Sequence, residues 1–123
     1  MNCYEKVGAW SLPAIIHEKQ QPNVSFVVDG KVVACGGIHP LCPGVGDVWL
    51  FLAKPTGPEI VKEVKNQMYE WIRDYRFHRV QTLVDYCWKE GRRFTEWVGL
   101  EYEGRLRKMT ERETDMALYA WVR

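Results

Sequence analysis

Apolar positions recur along this 123-residue chain with two different periods. Between residues 58 and 75, Ile60, Val61, Val64, Met68, Trp71, Ile72 and Tyr75 return every three or four positions. Glu59, Lys62, Glu63, Lys65, Glu70 and Arg73 fill the opposite side. That stripe predicts a helix with one face on a core. Pro58 suits its first position, where a missing N–H removes no intrahelical bond. Residues 24–28 and 32–38 are instead β-branched apolar runs joined through Asp29-Gly30. Two such runs around Asp-Gly predict a hairpin, because both turn positions favour positive φ. Residues 48–53 are almost wholly apolar, as expected of a central strand.

The second half repeats the alternation of periods. Val80, Thr82 and Val84 share one face of a strand over residues 79–85, and Asp85 is placed to cap a following helix. Trp88, Gly91, Phe94, Thr95 and Val98 give that helix its spacing, and Gly99 gives it a stop. Residues 100–109 and 116–122 read as a final hairpin closed by a charged turn. Residues 39–46, HPLCPGVG, read as a loop, since two prolines and two glycines punctuate them. Gly36-Gly37 ends the strand before it or allows a close backbone approach. Near the start, Tyr4, Val7, Trp10, Leu12, Ile15 and Ile16 form a rough helical stripe that Pro13 interrupts. Helix, hairpin, strand, helix, strand, helix, hairpin predicts an α/β (α+β) domain with a mixed central sheet flanked by helices. The length predicts one domain over residues 1–123.

Composition narrows the partners. The formal charge is +1 with acids and bases interleaved, which argues against nucleic acid as a partner. No apolar run approaches the roughly 20 residues of a membrane span, so no membrane partner is expected. The N-terminus lacks a basic segment followed by a long apolar one, so no signal peptide is expected. The four cysteines, Cys3, Cys35, Cys42 and Cys87, show no compact disulfide framework and suggest a cytoplasmic setting.

Several residues in order resemble one family. DGKVVACGGI at 29–38 resembles the second hairpin strand of the GNAT superfamily of acetyl-CoA-dependent N-acyltransferases. VWLFLAKP at 48–55 resembles its central strand and the splay that follows. Arg93, Glu96, Gly99, Leu100, Glu103, Gly104, Leu106 and Arg107 fit its "R..E..GF..EG.lR" ending, and Asp115 and Tyr119 fit the following "D...Y". The match covers residues 24–123. The compact form is also similar to small acetyltransferase-like proteins encoded by bacteriophages, which would place it in a bacterium or an infected host cell.

The resemblance implies acetyl-CoA as cofactor and an amine, of a small molecule or a protein, as acceptor. It implies that Phe51, Leu52 and Ala53 meet the pantetheine arm, that Lys54, Thr56 and Gly57 lie near the phosphates, and that Trp88 lines the far wall. It implies a shortened N-terminal part, whose missing strand leaves an edge that a second subunit would cover as a homodimer. Three positions depart from the family pattern. The phosphate loop is K-P-T-G-P-E, with one glycine and a second proline; Trp88 replaces an asparagine; Thr95 replaces a tyrosine that protonates the departing thiolate. A protein with these departures could instead use the cleft, without catalysis, to bind a partner protein.

Attack of an amine on a thioester needs a group to take the amine proton. Asp47, just before the central strand, and His39, in the adjoining loop, are the candidate catalytic residues. Cys35, His39 and Cys42 form C-x3-H-x2-C, but a structural zinc site needs a fourth ligand, so buried cysteines beside a loop histidine is the simpler reading and no metal is expected. Of the six tryptophans, Trp97 and Trp121 flank charged residues and are the expected surface ones. The Arg92-Arg93 pair reads as a solvated helix face.

Overall fold

The computed structural model describes residues 22–53 and 57–123. The expected N-terminal helical pieces lie outside these residues. The elements are β1 (Asn23–Val28), β2 (Lys31–Cys42), β3 (Val45–Leu52), α1 (Pro58–Asp74), β4 (Arg79–Asp85), α2 (Lys89–Val98), β5 (Glu101–Leu106) and β6 (Met116–Val122). Six strands form one mixed sheet in the order β1-β2-β3-β4-β6-β5. The pairs are antiparallel except β3 with β4, which run parallel.

The β1–β2 turn forms as Asp-Gly requires, with φ of 51° at Asp29 and 77° at Gly30. Strand β2 runs through the segment expected to be a loop. His39 and Pro40 stay in the strand, paired with Asp47 and Gly46, and the connection shrinks to Pro43-Gly44. By alternation with Ile38, the Pro40 nitrogen faces away from β3, so its missing donor removes no β2–β3 ladder bond; the pairing is irregular only between Pro40 and Cys42. Proline followed by glycine at φ 84° is the residue order a type II turn demands. Gly36 and Gly37 sit inside β2. A side chain at Gly37 would run into the Pro22 carbonyl, and one at Gly36 would meet the Trp49 carbonyl, so both allow close approach of neighbouring backbone.

Alternation gives the sheet two distinct faces. Ile38, Val48, Val80, Val84, Ala117, Tyr119 and Trp121 point to one face, where Met68, Ile72, Phe77, Val98 and Leu100 close the core over them. Both helices therefore cover this face, as two right-handed crossovers in the same direction require. His39, Asp47 and Gln81 point to the other face, which no described helix covers.

Helix α1 begins at Pro58 as expected, with Gly57 as N-cap. Helix α2 begins later than expected. Its N-cap is Trp88, and Asp85 instead accepts a hydrogen bond from the Cys87 N–H at 2.9 Å, two residues on. A short acidic side chain can serve that local turn as well as a helix cap, which is why the sequence reading misplaced it. Gly99 ends α2 in the left-handed region at φ 111°. A side chain there would meet the Tyr69 hydroxyl, which donates to the Val98 carbonyl at 2.8 Å. Gly99→Ala is thus expected to destabilise the fold by more than about 1 kcal/mol, read by denaturant unfolding; an unchanged midpoint would count against this account. Strand β5 is shorter than expected, and its pairing slips between Tyr102 and Gly104, leaving Glu103 as the extra residue.

Candidate functional site

Strands β3 and β4 pair over only three positions, Val45 with Arg79, Gly46 with Val80 and Asp47 with Gln81. Beyond Asp47 they part. The rest of β3 pairs only with β2, and Thr82 to Asp85 only with β6. A gap thus opens at the C-terminal ends of two parallel strands, the usual ligand position in open α/β sheets.

Two hydrogen bonds tell which backbone groups face that gap. The Ile38 N–H donates to the Pro22 carbonyl at 3.0 Å, toward β1, and the Ala53 N–H donates to the Val33 carbonyl at 2.8 Å, toward β2. In an antiparallel ladder alternate residues direct both backbone groups to the same neighbour. By that alternation Asp47, Trp49, Phe51 and Ala53 address β2, and Leu50 and Leu52 address the gap. Of the residues expected near a pantetheine arm, Leu52 directs its backbone groups into the gap, whereas the Ala53 N–H bonds within the sheet and the Phe51 backbone is directed toward β2. Leu50, which sequence reasoning did not name, also directs its backbone into the gap; ladder parity is not visible before the strands are paired.

Asp47 sits where the gap begins. His39 is its direct partner on β2 and Gln81 its partner on β4, all on the face without described helices. Both candidate catalytic residues therefore share one row of the sheet. Asp47 is half-buried, and desolvation pushes its carboxyl above the ordinary aspartate value, while the neighbouring His39 pulls it partly back. The row continues through Ala120 on β6 to Glu101 on β5. Below it, Arg79 donates from Nε to the Gln81 Oε1 at 3.0 Å and from both Nη atoms to Glu103, at 3.1 and 2.6 Å. This fork lowers the Glu103 carboxyl from its ordinary value, chiefly by the hydrogen bonds from Arg79. Gln81 and Arg79 carried no sequence signal beyond alternation.

The helix starts border the gap. Gly57, the N-cap of α1, makes no side-chain cap, and Pro58 has no N–H to offer. Lys54 and Thr56 lie outside the described residues. Trp88, at the start of α2, folds its ring over Gly91 and donates from Nε1 to Glu90 at 3.1 Å, with 47% of its surface exposed. Thr95 is buried and donates its hydroxyl to the Gly91 carbonyl at 2.7 Å, so that hydroxyl is committed within α2.

Solved structures share this arrangement. The chain superimposes on an acetyltransferase of the GNAT family from Streptococcus pneumoniae with TM-score 0.75, 16% identity, 91% of this chain and 72% of that one. The fold is that of the GNAT acetyltransferases. A ribosomal-protein-alanine N-acetyltransferase from Brucella melitensis gives TM-score 0.72 at 17% identity over 97% of this chain and 78% of that one. An acetyltransferase from Salmonella typhimurium, solved with its cofactor acetyl-CoA, gives 0.78 at 9% identity over 91% and 71%. The sequence matches no family model and no curated protein.

Trp97 is on the surface, 46% exposed, with the Lys65 ammonium 4.7 Å from its ring centre. Trp121 is not a surface residue; its place in the β6 alternation turns it inward, edge-on to Tyr69 at 6.4 Å. Arg92 is not simply solvated. It donates to the Tyr119 hydroxyl at 3.0 Å and the Tyr86 carbonyl at 3.2 Å, and lies over the Tyr86 ring at 4.4 Å. Of the C-x3-H-x2-C residues only Cys35 is buried; Cys42 is exposed beside the turn, and His39 belongs to a strand. No helix among the described residues is long and apolar enough to cross a membrane.

Proposed function

We propose that this chain is an N-acyltransferase that moves an acetyl group from acetyl-CoA to an amine of a small molecule or a protein. The observation that carries this reading is the parting of β3 and β4 directly after Asp47. It supplies an open strand edge and a proton acceptor at one point.

The residues suit the cofactor unevenly. Leu50 and Leu52 offer backbone groups to the amides of a pantetheine arm as a further strand would. The uncapped start of α1 favours a diphosphate through its free N–H groups and dipole. Pro58 removes one donor and Glu59 adds an exposed carboxylate, so that end is held more weakly than by a glycine-rich loop. Lys54, Thr56 and Gly57 remain the contacts expected beside the phosphates, with Trp88 across the cleft. When bound, acetyl-CoA supplies an acetyl group already activated as a thioester.

Asp47 takes a proton from the acceptor amine, directly or through one water, as the amine nitrogen bonds the acetyl carbon. Its partial burial makes the carboxylate a better base than an exposed aspartate. The sulfur that leaves needs a proton in return. Thr95 is committed to a backbone carbonyl, so Asp47, now protonated, returns it. His39 tunes the carboxylate by its charge.

The second reading, a non-catalytic protein of the same fold that binds a partner protein through the cleft, is favoured by Pro58 and by the committed Thr95 hydroxyl. One titration separates the two. Acetyl-CoA at 100 times its dissociation constant is expected to add ~2.7 kcal/mol to stability, visible as a rise in Tm. No rise at millimolar acetyl-CoA would remove the enzyme reading and leave the partner-binding one.

A further inference from the structure

Among the described residues the sheet ends in two edge strands, β1 and β5, and the chain treats them differently. The β5 edge carries the devices that keep an edge from pairing with another chain. Glu101, Glu103 and Arg105 are exposed along it, and its register slips between Tyr102 and Gly104. The β1 edge has neither device. From Asn23 to Val28 the strand reads NVSFVV, without a charge or a proline. Charges begin only in and after its turn, at Asp29 and Lys31. Val27 is 59% exposed and Val28 44%. The irregularity between Phe26 and Val27 puts its extra residue, Val33, in β2, so the outer line of β1 stays unbroken.

Backbone parity identifies the groups on that line. The Ile38 N–H donates to the Pro22 carbonyl at 3.0 Å. By alternation Pro22, Val24 and Phe26 address β2, and Ser25 and Val27 turn their N–H and C=O groups outward. Both side chains are exposed. Open groups of this kind accept any extended strand, and composition decides which one suits. About a twofold axis each residue near the axis meets its own copy, so a charge there meets like charge. Strand β1 meets that condition along its whole length. Antiparallel pairing centred on Phe26 sets Ser25 of each copy opposite Val27 of the other. Those two outward residues then exchange both backbone hydrogen bonds.

We propose that two copies of this chain pair through β1, antiparallel about a twofold axis at Phe26, so that the sheet of one continues into the sheet of the other. The strand is six residues long, so the contact is smaller than the roughly 1,600 Å² of a standard interface. Association in the micromolar range or weaker is expected. The pairing does not draw on the acyltransferase reading, because β1 lies two strands away from the gap between β3 and β4.

Sedimentation velocity of the full chain, from micromolar to millimolar concentration, tests the pairing. Amide hydrogen exchange of Ser25 and Val27 is followed in the same samples. The parent is expected to pass from monomer to dimer, with both amides better protected as the concentration rises. Val27→Lys and Ser25→Lys are each expected to weaken association by about tenfold or more, since like charges then face each other near the axis. Val27→Pro removes an outward N–H that β2 does not use, and is expected to weaken it as well. Should Val27→Pro fail to fold, the two lysine variants decide. A parent that stays monomeric at millimolar concentration overturns the proposal, as does a dimer that forms undiminished in both lysine variants. A monomer whose Ser25 and Val27 amides are protected at every dilution also overturns it, and assigns the edge to another segment of the same chain.

Discussion

Asp47→Asn is expected to lower kcat for acetyl transfer by about 100-fold or more, with acetyl-CoA binding unchanged. Asparagine keeps the shape but cannot take a proton from an amine. The two quantities are read separately, kcat by initial rates and binding by the acetyl-CoA-dependent rise in Tm. A variant that retained most of its kcat would remove Asp47 from proton handling.

The same substitution has a stability signature, and its sign follows from burial. Asp47 is pushed above the ordinary value of 3.8, first by desolvation, with His39 opposing. The folded state therefore binds this proton more tightly than the unfolded chain does. Stability from this group is present at low pH and is lost as pH rises from the unfolded value through the folded one. Asn removes that loss. The Asn variant should melt higher than the parent at neutral pH, and the gain should vanish below the ordinary value of 3.8, where the parent is protonated in both states. A gain that persisted unchanged in acid would contradict desolvation as the cause. One residue that costs stability when charged yet sits at the cleft is the pattern expected of a working group.

Tyr119→Ala is expected to destabilise the domain by about 3–5 kcal/mol, as truncation of a buried aromatic does. That is a large part of the roughly 5–15 kcal/mol that holds a domain folded. Tyr119 is only 1% exposed, lies in the central core beneath α2, and packs edge-on to Tyr102 at 5.7 Å. Its hydroxyl accepts from Arg92 Nε at 3.0 Å and lies 3.4 Å from a Glu96 oxygen, so it ties α2 to β6. Tyr119→Phe keeps the ring and should cost about 1 kcal/mol, the net value of one hydrogen bond. Denaturant unfolding of both variants gives the comparison. Equal losses would mean that the hydroxyl, not the ring volume, dominates.

Much of the fold was legible in sequence because local chemistry and tertiary packing agree there. Pro58 opens α1, Asp29-Gly30 turns the hairpin, Gly99 stops α2, and alternation marks β4 from Arg79 to Asp85. The motif residues at the end of the chain also keep structural tasks. Glu103 holds Arg79, Asp115 holds Arg105 and the Lys108 N–H, and Tyr119 holds Arg92. Their spacing is readable because each must reach a fixed partner from a fixed strand position.

Residues 39–46 show where local reading failed. Two prolines and two glycines signal a loop, yet pairing with β3 keeps His39 to Cys42 in β2. Strand pairing outweighed turn propensity, and the Pro40 nitrogen faces away from β3, so the proline costs that pairing no bond. That extension is what brings His39 opposite Asp47. A loop histidine and a strand-start aspartate become neighbours only once the register is set.

The sequence alone determined the order of elements from the first hairpin onward, the helix that begins at Pro58, and Asp47 and His39 as separate candidates, because periodicity, turn residues and side-chain chemistry are local properties. The tertiary structure decided that β3 and β4 part after Asp47, that Leu50 and Leu52 address the gap, and that Gln81 is oriented by Arg79 and Glu103. Each of those depends on register between strands distant in the chain, which no local pattern encodes.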